Sequence, residues 1–172
     1  MVAIIFMLSL TSCEEPRQDT AGIRVRLADS SPTYDGVLID VQSVQADFLD
    51  DDEGWILLPT NKGTYNLLQL TEGIDTLLAN GVLPQGTLNQ LRLVLGNENY
   101  VVMAQDTLPL AVPSALQPGL KVQVDKMLLT GTDYTLRVDF NSSESIVKIE
   151  NAGRQYSLKP VVRVISTRTT GA

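Results

Sequence analysis

Short runs in which apolar and polar residues alternate recur along most of this 172-residue chain. In the first of them, arginines separate Ile23, Val25 and Leu27, and this period of two places one face against a core and the other in water. Similar runs follow at residues 91–95, 120–124 and 136–140. The alternation predicts half-buried β-strands, and it constrains the fold more than any other feature of the sequence.

The second apolar run changes phase along its length. Apolar residues occupy odd positions in Val37–Val41 and even positions in Val44–Phe48, so we predict a β-bulge near Gln42–Ser43. The acidic run and glycine of Asp50–Gly54 favour solvent and turn geometry, which predicts a hairpin loop before a further strand at Trp55–Leu58.

One segment has the spacing of a helix. Ile74, Leu77 and Leu78 lie at positions i, i+3 and i+4, Thr71 is a suitable N-cap, and Gly81 is free to adopt the left-handed conformation that ends a helix. We therefore predict one short helix between Thr71 and Gly81.

These elements predict a mainly β fold, an antiparallel β-sandwich or open barrel with one short helix. The last predicted strand is Leu158–Ile165, in which Pro160 indicates an edge or a bulge because it has no backbone N–H. No linker to a second domain is evident.

The N-terminus predicts a lipid anchor. The apolar run Val2–Leu10 has about half of the ~20 residues that a membrane-spanning helix needs, which suits a secretory signal. Leu10–Cys13 resembles a lipobox, so we expect cleavage before Cys13 and lipid attachment to its sulfur. An ordinary signal peptide, or a buried strand with an incidental cysteine, is the alternative. No Lys or Arg precedes the apolar run, so we expect translation to start further upstream.

These features divide the chain into four parts. We expect a lipoprotein signal peptide at residues 1–12, a lipidated tether at 13–21, a single β domain at 22–166 and a flexible C-terminal tail at 167–172.

Composition excludes several classes of function. The chain has no histidine and one cysteine, so common hydrolase sites and an intramolecular disulfide are absent. A net charge of -7 repels phosphate backbones, which argues against a nucleic-acid partner. We expect a non-enzymatic protein without a metal or cofactor.

Three groups of charged residues are candidate sites, each with a simpler explanation. Asp47 and Asp50–Glu53 are possible Ca²⁺ ligands, but a solvated hairpin tip is favoured because the spacing is not that of an EF-hand. Asp139 with Glu144 is a remote candidate for a glycosidase acid/base pair. The third group consists of three cations, Arg92, Lys121 and Lys159. We expect these side chains either to lie over the sheet or to pair with Asp139 or with an anionic group of a ligand.

Aromatic residues form a further candidate site. The four candidates are Trp55, Tyr65, Tyr100 and Tyr134. They would stack on sugar rings if they met at one edge of the sandwich, although packing in the core or at its rim is favoured for each. Asn141 begins an N-glycosylation sequon, which we expect to stay unmodified in a bacterial lipoprotein.

From Gly22 to Ile165, the order of several short motifs resembles the uncharacterised lipoprotein family known as domain of unknown function 4382. The motifs are Leu27-Ala28-Asp29 with Pro32 and Asp35, Asn66 to Leu70, Gly86 with Gln90 to Leu93, Val112-Pro113-Ser114, Gly119-Leu120-Lys121, Asp139-Phe140-Asn141, Ser145-Ile146 and Leu158-Lys159-Pro160. The chain departs from the family pattern at Asn66, Leu88, Ala115 and Asn141. The resemblance implies the fold, lipidation and a Bacteroidota-like location in the cell envelope.

Two short signals are similar to Bacteroidota patterns. Glu14-Glu15 after Cys13 resembles a signal for export to the outer face of the outer membrane, although a solvated tether explains it equally well. Asp-Thr-apolar triplets resemble O-glycosylation acceptors, and Thr20 is the most accessible of them because it lies in the predicted tether, whereas a helix would obstruct Thr76. Thr107 is the third such threonine.

The leading expectation is a surface-exposed, outer-membrane-anchored binding or adhesion module whose ligand is a glycan or an envelope protein. The alternative is a structural, pilin-like or envelope-assembly subunit in which a terminal strand completes a neighbour's sheet. A carboxylate-based glycoside hydrolase is the remote alternative.

Overall fold

The structure, a computed structural model, describes residues 19–31, 33–48, 54–116, 119–149 and 155–171. In these ranges the chain forms strands, one four-residue α-helix and two 3₁₀ helices. The strands are β1 (Thr20–Ala28), β2 (Gly36–Phe48), β3 (Ile56–Leu58), β4 (Gly63–Asn66), β5 (Thr76–Pro84), β6 (Gly86–Leu95), β7 (Tyr100–Met103), β8 (Asp106–Ala111), β9 (Leu120–Leu128), β10 (Thr132–Phe140), β11 (Ile146–Lys148), β12 (Tyr156–Leu158) and β13 (Val162–Gly171). The helix α1 is Ser142–Ser145, and the 3₁₀ helices are Leu67–Leu70 and Ser114–Leu116.

The strands form two sheets in a sandwich-like arrangement, which confirms the predicted mainly β class. The small sheet has the order β13-β10-β1-β5. The large sheet has the order β11-β12-β8-β7-β2-β6-β9, with β3 and β4 also paired to β2. Most pairings are antiparallel, but β1 pairs with β10 and β12 pairs with β8 in parallel, which the alternation pattern did not predict.

The parallel pairing of β1 with β10 builds the inner face of the small sheet. Ile23 lies opposite Tyr134 and Val25 lies opposite Leu136, and all four are buried. A one-residue slip of either strand would turn the apolar set of that strand towards water, so burial fixes this register.

The strand β2 organises the large sheet because both of its edges are paired along much of its length. Leu38 pairs with Asn66 of β4 and Tyr100 of β7, and Val44 pairs with Leu58 of β3 and Leu93 of β6. The predicted bulge is confirmed, since the register with β6 shifts between Val41 and Ser43.

The predicted helix between Thr71 and Gly81 is wrong. Residues from Thr76 onward form β5, an antiparallel neighbour of β1. Val25 pairs with Ala79 and Arg26 pairs with Leu77, so Leu78 has no partner on β1 and forms a β-bulge. The bulge turns Leu78 inwards beside Ala79, and both residues are buried. A bulge and a helical turn both place adjacent apolar residues on one face, and the sequence pattern does not distinguish them.

The α-helix of the described ranges is α1 instead. Its N-cap is Asn141, whose side chain accepts a hydrogen bond from Glu144 N. No helix in these ranges is long and apolar enough to cross a bilayer.

Three boundaries also differ from the expected ones. The predicted last strand is divided, because β12 ends at Leu158 and β13 begins after Pro160. Thr20 and Ala21, assigned to the tether, belong to β1, and residues 167–171, assigned to the flexible tail, pair with β10. The signal segment with Cys13, the acidic run 50–53, Pro32 and the turn at 151–153 lie outside the described residues.

Candidate functional site

Two aspartates are buried at the edge where β1 and β10 both end. Asp139 belongs to β10 and lies opposite Ala28, and Asp29 follows β1 directly. Asp139 has an exposed fraction of 0% and Asp29 one of 3%, so neither carboxylate faces solvent. Both are held by donors from neighbouring segments, and we call this arrangement the aspartate network.

Serines supply most of the donors in the aspartate network. Ser30 donates to both oxygens of Asp139, from its backbone N to Oδ1 and from Oγ to Oδ2, each at 2.8 Å. Ser142 donates to Asp29 from its backbone N at 3.2 Å and from Oγ at 2.5 Å. Arg163 Nε lies 3.4 Å from Asp139 Oδ2. The network therefore ties the end of β1 to α1 and β13.

The aspartate network gives the glycosidase alternative no support. Asp139 is fully buried and already accepts from Ser30, and Glu144 accepts from Asn141 Nδ2 at 2.9 Å. A catalytic carboxylate must reach the glycosidic oxygen or the attacking water, and the buried Asp139 reaches neither in this arrangement. Asn141 is itself 4% exposed, so its amide is not accessible as a glycosylation acceptor.

A cleft of about 830 Å³ opens where the large sheet divides. β6 and β7 follow one another along the same edge of β2; β9 pairs with β6, and β8 pairs with β7. Between the end of β8 and the start of β9 the chain leaves the sheet, which leaves a gap beside the bend that joins β6 to β7. Ligand sites in proteins commonly have volumes of roughly 300–1,000 Å³, and the cleft falls within that range.

The lining of the cleft combines apolar, aromatic and amide groups. Leu95, Leu110 and Leu116 contribute apolar surface, and Tyr100 and Tyr156 contribute aromatic rings. Amide side chains in the lining are those of Asn97, Asn99 and Gln155. Apolar walls with a few polar groups are typical of small-molecule sites.

A buried hydrogen-bond cluster holds the bend that forms one wall of the cleft. Asn99 Oδ1 accepts from Asp40 N at 2.9 Å, and Asn99 Nδ2 donates to Gly96 O at 2.7 Å. A Cβ on Gly96 would lie 1.9 Å from Asp40 Oδ2, so only glycine fits there without a shift. Gln42 Nε2 also donates to Asp40, at 2.6 Å. These contacts fix the wall before any ligand binds.

Two tyrosines, Tyr100 in the lining of the cleft and Tyr34, remain protonated at neutral pH because their pKa values are raised. Tyr100 donates to Glu98 Oε2 at 2.5 Å, and this hydrogen bond, together with the negative charge of Glu98, raises the pKa of Tyr100. Burial raises the pKa of Tyr34, and the neighbouring Tyr156 adds to the shift. Both hydroxyls are therefore hydrogen-bond donors rather than anions at physiological pH.

The four aromatic residues considered for sugar stacking do not meet at one edge, in line with the favoured expectation of core or rim packing. Tyr100 lines the cleft, Tyr65 lies on β4 with its hydroxyl donating to Asn61 O, and Tyr134 is 2% exposed in the core. Trp55 lies just before β3, under the guanidinium of Arg92. The sequence analysis missed Tyr156, which also lines the cleft. It lies in a strand of only three residues, whose pattern is too short to recognise.

The other candidate residues are separated by the fold. Arg92 and Lys121 are neighbours across β6 and β9, whereas Lys159 lies between β12 and β13, and Arg163 rather than any of these pairs with Asp139. Asp47 is in β2, and the rest of the proposed Ca²⁺ loop lies outside the described residues. Within those residues, no three His, Cys, Asp or Glu side chains meet in a group suited to a metal ion.

The threonines considered for O-glycosylation all lie in or at the ends of strands. Thr20 is the first residue of β1, partly buried and opposite Pro84, rather than in a free tether. Thr76 begins β5 and Thr107 is an exposed residue of β8. Modification of Thr20 stays a prediction.

The fold is a β-sandwich-like domain with a cleft at a division of one sheet. The family model Domain of unknown function (DUF4382) matches residues 20–160, so the chain belongs to this family. Searches of curated proteins and of solved structures give no match. Several motifs of the family resemblance now have a structural role, because Asp29, Asp139 and Asn141 belong to the buried network or cap its helix.

Replacing Ser142 tests whether the aspartate network stabilises the fold. Ser142→Ala removes the Oγ donor to the buried Asp29, so we expect the free energy of unfolding to fall by about 1–3 kcal/mol. Ser143→Ala is the matched control; its Oγ donates to Asn141 Oδ1, which also accepts from Glu144 N, and we expect a loss below about 1 kcal/mol. Urea denaturation measures the free energy of unfolding of both variants. Equal losses of this free energy in the two variants would contradict a stabilising role of the network.

Proposed function

We propose that this protein is a lipid-anchored, non-enzymatic binding module of the bacterial cell envelope, with the cleft as its ligand site and a glycan as its ligand. The observation that carries the proposal is the cleft itself, a preformed site of about 830 Å³ with tyrosine and amide groups in an otherwise apolar lining. The proposed anchor is a lipid on Cys13, and the proposed location is the outer membrane with the domain facing outwards.

A glycan fits the chemistry of this lining. The apolar faces of sugar rings stack on aromatic side chains. Tyr100 provides such a ring, and Tyr156, which is 8% exposed, adds aromatic surface to the lining. Sugar hydroxyls both donate and accept hydrogen bonds, as do the amides of Asn97 and Gln155. The hydrogen bonds around Asn99 hold the wall in place, which reduces the entropy lost on binding.

A non-enzymatic role is supported by the burial of the acidic side chains that would serve a histidine-free hydrolase. Asp29, Asp40 and Asp139 are at most 7% exposed, and each forms hydrogen bonds within the protein. They stabilise turns and strand ends. The described residues that line the cleft include no carboxylate, so the proposed site binds a ligand without a pair of acidic side chains drawn from them.

An assembly subunit is the second candidate, and the exposed edge of β13 favours it. Among the described strands, β13 pairs with β10 alone, and it extends over Val162–Gly171. Its residues from Ile165 to Thr170 are exposed, and Ile165 is 41% exposed. An unpaired edge strand is the element onto which another chain adds a strand.

The anchor is tested by replacing Cys13. The natural protein is expected to sediment with membranes after a high-salt wash and to yield a mature N-terminus whose mass includes a diacylglycerol on Cys13. Two or more acyl chains hold a protein on a bilayer stably, so Cys13→Ala is expected to move it to the soluble fraction. A mature Cys13 with a free thiol would contradict lipidation.

Tyr100 tests the cleft as the glycan site. We expect Tyr100→Ala to weaken binding about tenfold, because the substitution removes a ring on which a sugar stacks. The measurement is calorimetric titration of the full chain in detergent with neutral and acidic oligosaccharides.

Tyr65→Ala is the control for this experiment. Tyr65 is a partly buried tyrosine on β4 that does not line the cleft, so its loss should leave binding unchanged. Equal binding by Tyr100→Ala and the natural protein would remove the cleft from the proposal. If none of the oligosaccharides binds the natural protein, the result would count against a glycan ligand.

The native mass of the purified protein separates the two candidates. A binding module is expected to stay monomeric as its concentration rises in detergent, whereas a subunit that adds strands at β13 is expected to form a ladder of oligomers. Light scattering coupled to size exclusion measures the mass, and a ladder would favour the assembly subunit.

A further inference from the structure

On the outer face of the large sheet, two cations lie beside each other without an acidic partner among the described residues. Arg92 on β6 lies opposite Lys121 on β9, and both side chains point away from the core because their neighbours Leu91, Leu93 and Val122 are buried. No carboxylate of the described residues lies within ion-pair distance of either cation. Like charges directly opposite each other on a sheet repel and destabilise the pairing.

Other arginines of the chain are paired differently. Arg24 lies 3.2 Å from Asp133, Arg26 and Arg137 both contact Asp75, and Arg163 contacts Asp139. The chain carries 20 acidic and 13 basic residues, so carboxylates are in excess. Among the residues that the structure describes, this pair of cations without a carboxylate is therefore a local departure from the arrangement found elsewhere in the same protein.

An aromatic ring and an amide complete this surface. The Arg92 guanidinium lies 3.6 Å from the centroid of the Trp55 ring, and Lys121 Nζ lies 5.7 Å from it. Gln45, opposite Arg92 on β2, accepts from Arg92 Nη1 at 3.3 Å. We call these four residues the Trp55 patch.

Two hydrogen-bonding atoms at or next to the Trp55 patch have no partner among the described residues. They are the buried Nε of Arg92 and the buried Oε1 of Gln90, which lies two positions before Arg92 on β6. An unpaired buried donor or acceptor costs stability, as does the repulsion between Arg92 and Lys121. Local arrangements that lower stability are expected at functional sites, where a ligand satisfies them.

The Trp55 patch is continuous with the cleft. Gly119 lines the cleft, and a Cβ added to it would lie 2.7 Å from Arg92 Cγ, so the two surfaces meet there. Val94, another lining residue, is two positions from Arg92 along β6 and therefore on the same face. A ligand in the cleft can extend along the sheet to the two cations.

We propose that the cleft's ligand is an acidic glycan whose carboxylate binds Arg92 and Lys121. A guanidinium with an adjacent ammonium matches a carboxylate, and Trp55 with Gln45 offers a ring and an amide to the sugar that carries it. A net charge of -7 opposes long-range attraction of polyanions, so recognition depends on short-range contacts at the patch. This inference rests on the proposed function and names its ligand class.

Polygalacturonate, a polymer of carboxylated sugars, and its fully methyl-esterified form are matched probes for this inference. The full chain in detergent is expected to bind the acid form at least about tenfold more tightly, and this advantage should shrink in high salt. Trp55 is the chain's one tryptophan, so its fluorescence reports binding at the patch directly.

Arg92→Gln and Lys121→Gln are expected to abolish the preference for the acid form while binding of the ester is retained. Arg24→Gln makes the same change of charge on the small sheet and should leave the preference intact. Lys121 is exposed, so its substitution remains informative even if Arg92→Gln fails to fold.

The outcomes separate this inference from the proposed function. If Tyr100→Ala weakens binding of both probes while Lys121→Gln keeps the acid preference, the cleft stands and the carboxylate contact is overturned. If Lys121→Gln loses the preference for the acid form and Tyr100→Ala binds normally, the result supports the Trp55 patch as the binding site and contradicts the cleft. Polyglutamate bound as tightly as polygalacturonate would show an acidic peptide to be the ligand and overturn the glycan.

Discussion

The parallel pairing of β1 with β10 is the contact on which the rest of the structure depends. It joins segments about a hundred residues apart, places Ile23 and Val25 beside Tyr134 and Leu136, and brings the ends of both strands to one edge of the small sheet. Because parallel strands end at the same edge, Asp29 and Asp139 meet there with serines from the loops that follow. A buried carboxylate without donors is costly, so the aspartate network makes this pairing specific as well as stable.

The large sheet meets a different constraint. Its central strand β2 is paired on both edges, and the partners on one edge, β6 and β7, are separated by a bend. That bend is fixed by Asp40, Asn99 and Gly96, and the outer neighbours β8 and β9 diverge from it. The cleft is thus a consequence of how the sheet is paired, and the hydrogen bonds that hold the bend also shape the proposed binding site.

The stabilising groups and the groups of the proposed ligand site are separate in this domain. Asp29 and Asp139 are buried and accept hydrogen bonds, whereas Arg92 and Lys121 lie together on an outer face without a carboxylate of the described residues. Carboxylates are in excess, so charge balance alone would pair these cations as it pairs Arg24 with Asp133. A surface that binds an anion must keep its cations unpaired, and the repulsion expected between Arg92 and Lys121 fits the proposed role.

The sequence by itself determined the mainly β class, the inner face of β1 and the bulge in β2, because a period of two residues is set by the geometry of a single strand. It did not determine the direction of a partner strand, and it mistook the bulge at Leu78 for a helical turn. Only the tertiary structure decided that Asp139 is a buried anchor, that Tyr100 and Tyr156 share a cleft, and that Trp55, Arg92 and Lys121 form one surface. These groupings join residues far apart in the chain, and local patterns carry no information about which distant strands become neighbours.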